Sequence, residues 1–382
     1  METNQTDVDK PQQDETSWKE SPFLIIKGFL MGSADIVPGV SGGTMALITG
    51  IYDRLIFAIK SADFTAVKSA LTFQFKKFFE HFHWKFFLLL FSGIFLAVIF
   101  FTRIVPLQIY MFTHPEIVYG LFFGLIVGSI FLLMTEIEKE KRIPVNFLYL
   151  VAGALIGFWV VTLVPADTPE SFWFVFLSGS VAICAMILPG ISGSYLLLIF
   201  RKYDYILSQL GTIGTIDTVQ GLLNLLPFFM GCLIGIFLFS RLLSWLLKNF
   251  HTATLMVLIG FLIGSLYVIW PYQNRTFEDH VRETEIVEMT DPIVEELQNR
   301  EIIPPGPEYQ RLGEVENPNA TFDRLKRVEV ETVSRKLVSS QPYFPGFNWP
   351  ENDEAIDLYG GLAGMGIGLS LIFAISYLRK KQ

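Results

Sequence analysis

"DIVPGVSGGTMALITGIYD" occupies residues 35–53, inside the first strongly apolar region of the chain. A helix that crosses a bilayer wants an unbroken apolar run, because lipid offers no partner to a freed backbone N–H or C=O. This stretch instead carries Asp35, Pro38, the adjacent Gly42 and Gly43, and the hydroxyls of Ser41 and Thr44. Pro38 stops one helix, and Gly39 with the glycine pair allows tight turns and close approach. Ser41 and Thr44 can cap the helix that follows. Such a break is expected to carry function, provided that its surroundings are lipid.

The composition indicates that they are. The chain has 36 Phe and only 17% charged residues, and its mean hydropathy is +0.45. Apolar runs recur at 84–105, 117–135, 144–164, 222–247, 253–271 and 356–378, each near the ~20 residues that cross the hydrocarbon. The runs at 22–60 and 172–200 are apolar as well, but Pro, Gly and hydroxyl residues interrupt them. The expectation is an all-α polytopic integral membrane protein. Residues 1–21 read as a disordered cytoplasmic lead with no cleavable signal peptide. Cys184 and Cys232 lie inside apolar segments and read as small buried hydrophobes. The net charge of −8 is set mainly by 272–354, an acidic insert without a spanning run and with a small, partly ordered structure.

The opening stretch occurs twice. "AMILPGISGSYLLLIFRKYDYIL" at 185–207 follows "ADIVPGVSGGTMALITGIYDRLI" at 34–56 with a constant offset of 151 and no gaps. Ala34, Pro38, Gly39, Ser41, Gly42, Leu47, Ile48, Tyr52 and Asp53 recur as Ala185, Pro189, Gly190, Ser192, Gly193, Leu198, Ile199, Tyr203 and Asp204, and Gly28 recurs as Gly179. Three long apolar runs follow each copy. The membrane portion therefore divides into repeat 1 at 22–164 and repeat 2 at 172–271 with 356–378, the insert interrupting the second before its last span.

Basic residues decide how the halves relate. The loop 60–85 carries Lys60, Lys68, Lys76, Lys77 and Lys85, and 138–143 carries Lys139, Lys141 and Arg142, whereas 106–116 and 165–171 have no Lys or Arg. An odd number of crossings per half, with cytoplasmic N- and C-termini, puts every basic loop inside and the acidic insert outside. The repeats are then inverted, each with a re-entrant or broken helical hairpin plus three spanning helices. A count of ten spans, each hairpin crossing twice, is the alternative.

Inverted-repeat transporters break helices near the midplane and aim the half-helix N-termini at an anionic group. Here the helix starts at Gly39–Thr44 and at Gly190–Ser194 offer backbone N–H groups and hydroxyls, with Pro38 and Pro189 as the breaks. Two such loops are expected to meet around one anion. Asp35 has no acidic counterpart, since Met186 stands at its repeat position; it reads either as a helix-end cap or as a coupling carboxylate. Lys27 either snorkels to the surface or pairs with the anion. Arg201, at the position of Gly50, either anchors at the interface or binds the anion bidentately. Small-residue motifs also serve plain helix packing, but two gapless copies favour function.

"GFLMGSADIVPGVSGGTMALITGIYDRLI" together with "PGISGSYLLLI" resembles the signatures of the PopT-type polyprenyl-phosphate transporter family, over most of 22–271 and 356–378. The resemblance implies a flippase that returns undecaprenyl phosphate from the outer to the inner leaflet of the bacterial cytoplasmic (inner) membrane, recycling the lipid carrier of envelope synthesis. It implies site roles for Asp35, Pro38, Gly39, Ser41, Gly42, Gly43, Thr44, Pro189, Gly190, Ser192, Gly193 and Ser194. The insert is longer than the family pattern. No cofactor, metal or nucleic acid is expected; the drive is expected to be coupling to protons or sodium ions, with membrane lipids as surroundings.

Three other classes compete with the flippase, of which a structural membrane scaffold has no use for paired broken helices. A small-anion channel or exchanger would also suit Gly-Ser-Pro helix starts. A membrane phosphatase needs a nucleophilic His with a basic clamp, whereas His81, His83, His114, His251 and His280 fall in loops or at span ends. No enzymatic activity is expected.

Overall fold

The computed structural model describes residues 16–37, 40–137, 144–163, 168–214, 216, 218–300, 306–316, 326–345 and 357–380. Pro38, Gly39, Lys139, Lys141 and Arg142 lie outside them. In chain order the first half runs α1 (Ser21–Asp35), α2 (Gly42–Ile48), α3 (Tyr52–Ser61), α4 (Phe64–Leu71), α5 (Phe75–His81), α6 (Trp84–Ile99), α7 (Leu107–Thr113), α8 (Pro115–Glu136) and α9 (Pro144–Val161). The second runs α10 (Phe172–Ile187), α11 (Gly193–Ile199), α12 (Tyr203–Gly211), α13 (Thr218–Asn249) and α14 (His251–Ile269). It continues with β1 (Gln273–Glu288), α15 (Pro292–Gln298), β2 (Glu308–Glu316), β3 (Arg327–Pro342) and α16 (Leu358–Lys380).

The helix series repeats: helix, break, short helix, turn and helix, then long helices. Among the described residues, 84–104, 115–135, 144–161, 218–249 and 251–269 are long and apolar enough to cross a membrane. The pair α2 and α3 makes a further, broken candidate, bent by 120°. The expected runs thus become helices, although the apolar part of α16, Leu358–Ala374, and α10 are shorter. The protein is an integral membrane protein.

Contacts divide the chain into two compact units. One holds the residues up to Ile104 with Leu125–Ile269 and the chain from Gly368. In it α1 packs on α6 and α10 on α13, the same pairing in each half. Both pairings rest on glycine. A Cβ on Gly28 would stand 2.1 Å from the Leu90 carbonyl oxygen, and one on its repeat partner Gly179 2.4 Å from that of Phe228. Backbones that close need small residues at the seam, as in other membrane helix pairs. Residues 16–20, expected in the disordered lead, are placed here: Trp18–Glu20 form a 3-10 turn. Arg54 donates to Glu20 at 3.0 Å and to Thr16 at 2.7 Å, which gives that arginine a structural partner.

The other unit comprises Val105–Gly124 and Trp270–Ile367, and it corrects the all-α expectation. Its centre is an antiparallel sheet in the order β1-β3-β2, with Val328, Val330 and Val333 of the middle strand buried. "RVEVE" at 327–331 alternates polar and apolar residues with the period of a half-buried strand. The acidic composition of 272–354 obscured that pattern. Trp270 donates its indole N–H to the Tyr343 carbonyl at 2.9 Å, and the Tyr343 N–H donates to the Tyr272 carbonyl at 3.0 Å. The ends of the sheet's outer and middle strands are pinned together there.

Candidate functional site

The first loop closes on itself. Beyond α1, Ser41 takes an extended backbone (φ −123°, ψ 139°), and its Oγ accepts from the Gly43 N–H at 3.1 Å. That is an N-cap. Asp35 Oδ1 accepts from the Gly42 N–H at 2.7 Å. The first donors of α2 are thus held by side chains of the same loop. A Cβ on Gly42 would stand 2.6 Å from Asp35 Oδ2, so a larger residue there would push aside the carboxylate that accepts its N–H.

The turns that end α2 and α11 are equivalent. Gly50 and Arg201, 151 residues apart, both have left-handed backbones, at φ 70° and 50°. The Gly50 N–H donates to Leu47 at 3.2 Å and the Ile51 N–H to Ala46 at 2.9 Å; the Arg201 N–H donates to Leu198 at 2.9 Å and the Lys202 N–H to Leu197 at 2.8 Å. Both are Schellman closures. Arg201 occupies the position that ordinarily takes glycine. Its neighbour Lys202, at 1% exposure, donates Nζ to the Thr168 carbonyl at 3.0 Å and lies over the Phe174 and Tyr205 rings.

The two loops do meet. Leu188 is extended (ψ 133°) as the residue before Pro189, which ends α10. The carbonyls freed by that break find the first loop. The Ser41 hydroxyl donates to Met186 O and Leu188 O, at 3.3 and 3.2 Å. In return the Gly190 N–H donates to Thr44 Oγ1 at 2.9 Å, where Thr44 is fully buried. Gly43 lets the backbones touch, since its Cβ would stand 2.5 Å from Ile187 O. Gly190 needs its own freedom twice over: its φ is +82°, and a Cβ would stand 2.8 Å from Phe261 O.

Beside this clasp lies a cavity of about 210 Å³. Asp35, Ser41, Ser192, Gly193 and Ser194 form its polar side. The Ser192 and Ser194 hydroxyls are 2.8 Å apart, and no side chain caps the start of α11. The second loop is therefore open where the first is closed. Of the expected anion residues, Ser41, Ser192, Gly193 and Ser194 line the cavity together with Asp35. Gly42, Gly43, Thr44 and Gly190 instead join the loops to each other and to their neighbours. Lys27, half-buried two turns before Asp35 in α1, and Arg201, exposed at its turn, are not among the lining residues.

Sequence reasoning missed the cavity's apolar side: Ala182, Ile183, Met186, Leu197, Phe228 and Cys232. Met186 carried a signal, as the residue facing Asp35 across the repeat. Phe228 and Cys232 belong to no motif. Cys232 and Cys184 are both half-buried, so neither is the fully buried hydrophobe expected. Among the described residues no group of His, Cys, Asp and Glu is placed to hold a metal.

Comparison with known proteins agrees with these motifs. A polyprenyl-phosphate transporter of Vibrio cholerae serotype O1 is 40% identical over 249 residues, 65% of this chain and 77% of that protein. A polyprenyl-phosphate transporter of Staphylococcus aureus is 30% identical over 258 residues, 65% of this chain and 85% of that protein. No solved structure matches. Residues 31–287, which contain both broken loops and the whole cavity, match the model of the undecaprenyl phosphate translocase-like family: the chain belongs to that family.

Proposed function

We propose that this protein carries a polyprenyl phosphate across the bilayer, returning undecaprenyl phosphate from the outer to the inner leaflet of the bacterial cytoplasmic membrane for reuse in envelope synthesis. One observation carries the reading: a single cavity brings the Ser192 and Ser194 hydroxyls and the uncapped start of α11 together with Ser41 and Asp35. Phosphate oxygens accept hydrogen bonds, and hydroxyls and backbone N–H groups at depth supply them without a buried cation. The relatives' names support the choice of a lipid phosphate over a free anion.

Asp35 gives the site its drive. Its carboxylate lines the same cavity as the proposed phosphate seat. At an assumed ~5 Å separation and an effective dielectric of ~20, two unit negative charges repel by about 3 kcal/mol. That is a factor of about 100 in favour of a proton or cation joining Asp35 when phosphate binds. Substrate and a proton or sodium ion therefore enter together. With the halves inverted and both termini cytoplasmic, rocking one against the other exposes the seat alternately.

The test is purified protein in liposomes holding a labelled polyprenyl phosphate in one leaflet. Leaflet exchange that depends on the protein, and a rate that responds to a pH or sodium gradient, are expected. Chloride or phosphate flux without lipid translocation would replace this reading by a small-anion channel or exchanger.

A further inference from the structure

The cavity's lining holds both polar and apolar groups, and a phosphate accounts only for the polar ones. Besides the serines, its lining includes Ile183 and Met186 of α10 and Phe228 and Cys232 of α13. A site for a free anion has no use for such a wall, because each apolar group there displaces water or a donor that the anion needs. We propose that this wall seats the first isoprene units of the substrate's prenyl chain, making the cavity a receptor for an amphiphile; the inference rests on the phosphate reading above.

Size and placement agree. The volume of about 210 Å³ falls below the ~300–1,000 Å³ of pockets that enclose a whole drug-sized ligand. It suits a headgroup and the start of a chain, and a polyprenyl tail has to leave. The exit lies along the wall itself. Met186 lines the cavity and is also 49% exposed. Val181 on α10 and Phe229, Met230 and Leu233 on α13 are exposed as well, and exposed apolar side chains in a bilayer face acyl chains. A tail leaving past Met186 thus stays in hydrocarbon while its phosphate is held among hydroxyls. Thioether, thiol and phenyl groups also suit a branched, unsaturated chain, since Met and Cys are soft and Met adapts its shape. Cys232 is held at the wall by its thiol, which donates to the Gly179 carbonyl at 3.5 Å.

The chain's two cysteines provide the probe. Cys184 does not line the cavity, and its thiol donates to the Gly235 carbonyl at 3.8 Å. It serves as an internal control in the unaltered protein. N-ethylmaleimide labelling of each cysteine is followed by peptide mass spectrometry, with inorganic phosphate, dimethylallyl phosphate, geranyl phosphate or geraniol present. Binding is measured separately by calorimetry. Each buried methylene contributes roughly fourfold in affinity, so geranyl phosphate should bind at least tenfold tighter than inorganic phosphate. It should slow Cys232 labelling about tenfold and leave Cys184 unchanged, whereas saturating phosphate should alter Cys232 less than twofold. Geranyl phosphate that binds while Cys232 remains unprotected overturns the chain seat and leaves the phosphate site standing. Geraniol protecting as well as geranyl phosphate reduces the wall to a plain lipid groove and overturns the proposal too. No saturable binding of any phosphate overturns the site on which both readings rest.

Discussion

Ser41 and Ser192 are the same residue of the repeat, and their replacement by alanine should have opposite consequences. The Ser41 hydroxyl caps α2 through the Gly43 N–H and donates across to the Met186 and Leu188 carbonyls. Losing an N-cap costs about 1 kcal/mol, and losing a bond between buried groups costs about 1 kcal/mol more. Ser41→Ala should therefore destabilise the protein by roughly 2 kcal/mol, and its effect on transport should follow the displaced second loop. The Ser192 hydroxyl has Ser194 Oγ as its partner at 2.8 Å and makes no cap bond. Ser192→Ala should change stability by less than ~0.5 kcal/mol. It removes one donor to a charged ligand, however, which is worth about 1.5–3 kcal/mol, or roughly tenfold or more in affinity.

The assay pairs thermal unfolding in detergent with binding of a short-chain prenyl phosphate, on parent and both variants. A lower melting midpoint for Ser41→Ala alone, with weakened binding at unchanged stability for Ser192→Ala, supports the asymmetry. If both variants lose equal stability, or if Ser192→Ala binds like the parent, the second loop is not the open one and the reasoning is wrong.

Three further outcomes follow from the same geometry. Asp35→Asn keeps an acceptor for the Gly42 N–H, so it should fold normally yet lose the pH or sodium dependence of transport; unaltered dependence would reduce Asp35 to a cap. Arg201→Gly relieves a left-handed backbone at φ 50° and should stabilise the protein by about 1 kcal/mol; a simultaneous fall in prenyl phosphate binding would give Arg201 a place in recognition. Glu285→Cys, exposed on β1 in a chain otherwise freed of cysteine, should react with an impermeant maleimide on spheroplasts, and labelling only after lysis would overturn the proposed topology.

Much of this was legible because a gapless offset carries geometry with it. Pro189 ends α10 where the pattern put a break, and Arg201 adopts the backbone of Gly50 because both close the same six-residue turn. Which loop would be closed by its own side chains was not legible. The sequence showed Met186 at the repeat position of Asp35, but not that the carboxylate folds back to take the Gly42 N–H and so closes the first loop. Nor could a motif reveal Phe228 and Cys232, which reach the cavity from a long helix outside both copies of the repeated loop. The sheet was hidden for another reason. Its alternation is short, and the surrounding acidic residues made the whole insert look uniformly polar.

The asymmetry explains why two broken helices serve better than one. A break inside a membrane strands carbonyls as well as N–H groups, and both need partners. The N–H groups at a helix start are useful for an anion only if they stay open, whereas the carbonyls of the preceding helix would repel it. Here Ser41 covers the Met186 and Leu188 carbonyls, and Thr44 holds the Gly190 N–H. The start of α11 is left uncapped toward the cavity. One copy thus satisfies the backbone that the other copy had to break, and the second has no side chain capping its helix start beside the cavity. A single broken helix would have to do both with the same few atoms.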